Sequence, residues 1–172
     1  MQSLTTTAVI ADGIDGTVVT GVKPNSPPNV AAYSGLNAGA VNRDGTVPTI
    51  TTQYVGSVTD RFDFKSFYFG CVLSSQESLA SAPTPCIVTV TGYKATKQIA
   101  KRDFSFDPDT LDLAADMAFA QLEGFDGIDT AAFETEADGL LSILGGTSDA
   151  AVATLLDGLA YTTYDAKPVE QY

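Results

Sequence analysis

Short runs rich in Val, Ile, Thr, Phe and Tyr recur along the chain between clusters of Gly, Pro, Asn and Asp, and helical periodicity is weak almost everywhere. That pattern predicts strands. Residues 5–10 and 17–22 read as two strands joined through Ala11-Asp12-Gly13-Ile14-Asp15-Gly16, whose Asp-Gly steps suit tight turns. Residues 23–49 are dominated by proline and glycine and read as a long ordered loop anchored by Tyr33, Leu36 and Val41. The clearest alternation is Phe62 and Phe64 followed, after a phase change near Ser66, by Phe67, Phe69 and Cys71; a change of phase predicts a β-bulge or bend. In 86–93, Val88 and Val90 alternate with Thr89 and Thr91, as in a sheet with one buried face. Residues 99–106 repeat this with Phe104 and Phe106 inward, and Asp107-Pro108-Asp109 ends the run. Segment 112–122 fits a helix through Leu113 and Met117 or a strand through Met117, Phe119 and Gln121, and its context favours the strand. Residues 129–136 and 151–164 complete the set; the pattern leaves room for one short helix over 138–144, which Gly145-Gly146 would end. No internal repeat is visible.

At 172 residues and 17.9 kDa the chain is read as a single domain, 1–172, long enough to bury roughly 70% of its unfolded surface. Nine basic residues against 21 acidic ones give a net charge of -12, which repels phosphate backbones and anionic membranes and argues against nucleic acid as a partner. The absence of histidine removes the Ser-His-Asp triad, the Cys-His dyad and His-ligated zinc. Carboxylate chemistry or binding without chemistry survives. No stretch approaches the 18 or more apolar residues of a membrane-spanning helix, so no membrane insertion is expected. The start, MQSLTTTAVI, lacks the basic and long apolar regions of a signal peptide, so the compartment rests on the cysteines. Cys71 and Cys86 flank the small and polar loop SSQESLASAP and are expected to form a disulfide, two buried free thiols being the alternative. A bridge implies a secreted, extracellular or cell-surface protein.

The C-terminal half carries a resemblance. Met117-Ala118-Phe119-Ala120-Gln121-Leu122, then Glu123-Gly124-Phe125-Asp126-Gly127-Ile128, Thr130-Ala131-Ala132-Phe133 and Leu155-Leu156-Asp157-Gly158-Leu159-Ala160-Tyr161 resemble secreted jelly-roll domains. In those, a small-Phe-x-Gly-aliphatic turn feeds an outer strand and a Leu-Asp-Asn-hydrophobic-x-Tyr strand closes the sandwich, Gly158 standing here in place of the Asn. The Phe-rich strand before a Cys-to-Cys loop and the strand Val88-Thr89-Val90-Thr91-Gly92-Tyr93 resemble fungal extracellular members of the group, similar in architecture to carbohydrate-binding modules and galactose-binding-like domains. The resemblance implies an all-β, antiparallel jelly-roll β-sandwich and binding of extracellular glycan or cell-wall polymer without catalysis.

Three groups of residues are candidates for function. Glu134, Glu136 and Asp138 fall on one face of a strand, and i, i+2 carboxylates about 6.6 Å apart approach the separation a retaining glycosidase needs. Glu134 and Glu136 would therefore be the catalytic pair of a small glycoside hydrolase or lyase, the enzyme alternative; as an acidic solvent face they would have no such role. Asp12 and Asp157 would meet if the first and last strands of a jelly roll lie side by side, and could share a structural Ca2+ as the chain's cofactor; turn chemistry at the two Asp-Gly steps is the ordinary explanation. Tyr33, Tyr54, Tyr68, Tyr93, Tyr161 and Tyr164 are the aromatics with a polar handle, and those exposed on a sheet would offer a sugar or peptide platform. A structural or host-facing protein with no small ligand is the remaining class.

Overall fold

The computed structural model describes residues 21–27, 30–34, 47–73, 82–109, 114–137 and 152–165. These form ten strands: β1 (Gly21–Lys23), β2 (Ala31–Ser34), β3 (Thr49–Thr51), β4 (Thr59–Leu73), β5 (Cys86–Lys94), β6 (Lys97–Phe106), β7 (Ala114–Asp116), β8 (Ala118–Gln121), β9 (Thr130–Ala137) and β10 (Val152–Asp165). There is no helix among the described residues, and the segments expected as strands over 5–10 and as a helix over 138–144 lie outside them. Two four-stranded antiparallel sheets, β2-β10-β4-β8 and β3-β9-β5-β6, face each other, and β1 and β7 form a small parallel pair.

The facing sides are built by alternation. β4 sends Phe62, Phe64, Phe67, Phe69 and Cys71 inward, and β5 and β9 answer with Cys86, Val88, Val90, Ala131 and Phe133, all buried. Phe67 stacks on Phe64 and meets Phe104 and Phe133 edge-on at ring separations of 5.7 to 5.8 Å, the arrangement that ring quadrupoles favour. The phase change near Ser66 is a bulge. Pairing runs from Asp157↔Tyr68 to Ala160↔Ser66 to Tyr161↔Phe64, so three steps on β10 oppose two on β4 and then one opposes two. Gly158 sits in that bulge at φ +55, where a side chain is disfavoured.

Two sequence expectations change. The stretch read as a long loop contains β2, and Tyr33 is buried because it belongs to that strand, opposite Thr154 of β10. The segment read as one strand over 112–122 is two, β7 and β8, which join different sheets. Above β4, Gly70 lies so close to Val22 of β1 that a Cβ would approach Val22 Cγ1 to 2.7 Å. The β1–β7 pair is thereby packed onto the outer side of β4, and Val22 and Ala115 join the core.

Cys71 and Cys86 are joined by a disulfide with Cα atoms 6.2 Å apart. It links β4 to β5, one sheet to the other, through fully buried positions. Beside it the Tyr33 hydroxyl bonds Thr135 Oγ1 of β9 at 2.8 Å, and Thr135 bonds Thr154 Oγ1 at 2.8 Å. This chain of hydroxyls crosses the same interface, and burial pushes the Tyr33 phenol up to about 12 despite the two threonine hydroxyls.

Candidate functional site

β8 has the sequence Ala118-Phe119-Ala120-Gln121, with its small residues at alternate positions. Ala120 lies opposite Phe67 and is fully buried, so its methyl group faces inward and the alternation turns Phe119 and Gln121 outward. Phe119 is consequently 54% exposed and pairs with Tyr68 of β4, ring centroids 5.0 Å apart and tilted by 51°. Gln121 lies opposite Ser66, on the same outer face as Tyr68 because both are an even step away. On the other side of Tyr68 the strand β10 offers Asp157 and Gly158. A Cβ at Gly158 would lie 3.0 Å from Tyr68 Cδ2 and 3.5 Å from Asn25 Nδ2, so the Asn25 amide borders the tyrosine ring over bare backbone.

Asp157 holds that border in place. Its carboxylate accepts from the Ser26 amide and the Ser26 hydroxyl, both at 2.5 Å, and from the Gly158 amide at 2.6 Å. The turn after β1 is thus fastened to β10, with the carboxylate itself buried. Asp12 lies outside the described residues, and among those described no group of three or more His, Cys, Asp or Glu is arranged to hold a metal ion.

Farther along the same outer face, charges replace rings. Asp63 accepts from the Tyr164 hydroxyl at 2.7 Å, the Gly127 amide at 2.8 Å and Lys65 at 3.3 Å, while Lys65 also reaches Asp126 at 2.8 Å. The Tyr164 hydroxyl and then the Gly127 amide hold the Asp63 carboxyl below its ordinary range, and the same hydrogen bond raises the Tyr164 phenol. Arg61 lies 5.0 Å over the Tyr164 ring.

Glu134 and Glu136 are exposed on the outer face of the other sheet, opposite Thr89 and Ile87 of β5. Thr89 donates to Asp103 of β6 at 2.8 Å, so this end of the sheet is an acidic, solvated surface; Asp138 lies outside the described residues. Of the tyrosines, Tyr33 is core, Tyr161 and Tyr164 are 39% and 37% exposed, and Tyr68 is half-buried under Phe119.

Two residues escape the sequence reading. Phe119 looks like any apolar strand residue, and its only signal is the small Ala118 and Ala120 beside it, which mark the opposite face as the inward one. Asp129 precedes β9 and is buried; its Oδ2 accepts the Ala95 amide at the β5–β6 turn, its backbone oxygen accepts from the Thr52 amide, and Oδ1 has no partner among the described residues. It fastens a turn in which Ala95 adopts φ +53.

The described face of β10-β4-β8 therefore presents two rings bordered by an amide, a hydroxyl and a second amide, beside the buried Asp157 carboxylate. No protein-family profile matches the chain, and no curated protein matches it.

Proposed function

We propose that the protein is a secreted or cell-surface jelly-roll module that binds an extracellular glycan or cell-wall polymer on the outer face of β10-β4-β8, without catalysis. The observation that carries the reading is the pair of exposed Phe119 and half-buried Tyr68, edged by Ser66, Gln121 and Asn25. The C–H face of a sugar ring is apolar and its rim is hydroxyl, so it needs an aromatic floor with neutral hydrogen-bonding groups around it. The strand orders support the jelly-roll part: each sheet takes its strands from both halves of the chain, and β10 returns to lie between β2 and β4. The inter-sheet disulfide supports an oxidising compartment.

The test is affinity electrophoresis of the parent and Phe119→Ala in gels containing single cell-wall polysaccharides. Phe119 is exposed on an edge strand, so its removal should leave the fold intact while costing about 2 kcal/mol of binding, roughly a thirty-fold loss. Equal retardation of parent and variant in every gel would end the proposal.

A further inference from the structure

Four of the nine basic residues, Lys94, Lys97, Lys101 and Arg102, lie within the β5–β6 hairpin, residues 86–106, where Asp103 is the single acid. The other twenty acids lie elsewhere in the sequence, so in a molecule of net charge -12 this hairpin is a cationic segment. All four cations are exposed and none forms an ion pair among the described residues. Asp103 is already engaged by the Thr89 hydroxyl.

The geometry of this projection is a line. Among the described residues β6 is the last strand of its sheet, bonded only to β5, and the part that bears the cations, 97–102, extends about 20 Å. Lys101 lies opposite Thr91 on the outer face and Arg102 opposite Val90 on the inner side, so cations straddle a backbone edge that is unpaired among the described residues. Asp129 fixes the turn at Ala95 from which Lys94 and Lys97 project. Lysines along an edge also deter strand pairing, which accounts for charge there but not for the gathering of cations in so acidic a protein.

We propose that the β6 edge binds an acidic polysaccharide, with Lys97, Lys101 and Arg102 taking its uronate carboxylates and the backbone edge, unpaired among the described residues, its hydroxyls. This rests on the glycan reading and adds a second subsite to it. A linear polyanion can lie along the 97–102 half of the edge and meet cations on both sides, whereas Asp103, Glu134 and Glu136 repel it from the other end of the sheet. Arg102 can take a carboxylate with two parallel N–H bonds, and the lysines act as point charges.

The experiment measures binding of the full chain to polygalacturonate and to its methyl ester, for the parent, K97A/K101A/R102A and Phe119→Ala. Expected are binding of polygalacturonate but not of the ester, an affinity about ten-fold lower in the triple variant, and a further fall as salt rises. Neutral-polymer binding that depends on Phe119, with no polygalacturonate binding, overturns this proposal and leaves the glycan reading standing. Polygalacturonate binding lost in the triple variant, with no Phe119-dependent binding of any polymer, supports this edge and refutes the aromatic platform. Duplex DNA held as tightly as polygalacturonate overturns it as unselective, and self-association abolished by the triple substitution without polygalacturonate binding assigns the edge to a second copy of the chain instead.

Discussion

Tyr33 offers a quantitative test of the packing between the two sheets. Its phenol is 6% exposed, hydrogen-bonded to Thr135, and pushed up to about 12 from 10.0 chiefly by burial. An unfolded tyrosine titrates near 10, so between about pH 10 and 12 the unfolded chain gives up this proton while the native one keeps it. Stability from Tyr33 is therefore complete below pH 10 and lost as pH rises to 12. At 1.36 kcal/mol for each tenfold change in proton affinity, the loss is about 3 kcal/mol. Lysines and other tyrosines titrate in the same window, so the quantity to measure is the difference between the parent and Tyr33→Phe. At pH 8 the variant should be less stable by about 1 kcal/mol, since Thr135 and Thr154 still bond each other. By pH 12 the parent should have lost that advantage and fallen below the variant by about 2 kcal/mol. Urea unfolding followed by circular dichroism, at an m-value of about 2 kcal/mol/M, would show the relative midpoints shifting by about 1.5 M. A difference in midpoint that stays constant from pH 8 to 12 would refute the buried, hydrogen-bonded phenol.

Reduction of Cys71–Cys86 opens a loop with a sequence separation of 15 and should cost about 3 kcal/mol, lowering Tm by several degrees in a scan with and without reductant; an unchanged Tm would mean that the bridge constrains nothing in the unfolded chain. Phe67→Ala, at the centre of the ring cluster, should destabilise by about 3–5 kcal/mol in urea unfolding, against under 0.5 kcal/mol for exposed Glu134→Gln. Asp157→Asn removes a charge that accepts three hydrogen bonds and should cost about 1–3 kcal/mol. Repeating the melts with Ca2+ tests the ion expected between Asp12 and Asp157: a rise in Tm present in the parent and Glu134→Gln but absent in Asp157→Asn would establish it, and equal rises in all three would mark Asp157 as a turn residue.

What the sequence made legible was what alternation governs. β4, β5, β6, β9 and β10 each have at least eight residues, long enough for a period of two to show, and even the bulge at Ser66 was visible as a break in the phase of the phenylalanines. β2 was not. Its four residues, Ala31–Ser34, lie in a Pro- and Gly-rich stretch and are held by pairing with Ala153–Leu156 more than a hundred positions away, a cause that no local window contains. The same holds for β7, whose three residues are a strand only because β1 lies beside them.

The face a residue occupies depends on packing across the sandwich, and the candidate site is made of such faces. In Ala118-Phe119-Ala120-Gln121 hydrophobicity places Phe119 inward, yet it is Ala120, opposite the buried Phe67, that faces the core. In a close-packed interior the space at each position depends on residues far away in sequence, so one side chain's preference does not decide its face. Exposure of about half of a phenylalanine forgoes burial worth roughly 1 kcal/mol, and cross-strand contact with Tyr68 recovers part of it. A Phe119→Gln substitution separates the two causes of that placement: if the ring is there only because the core is full, Tm should change by no more than a degree or two while glycan binding falls, and a large loss of Tm with binding unchanged would show the ring to be structural.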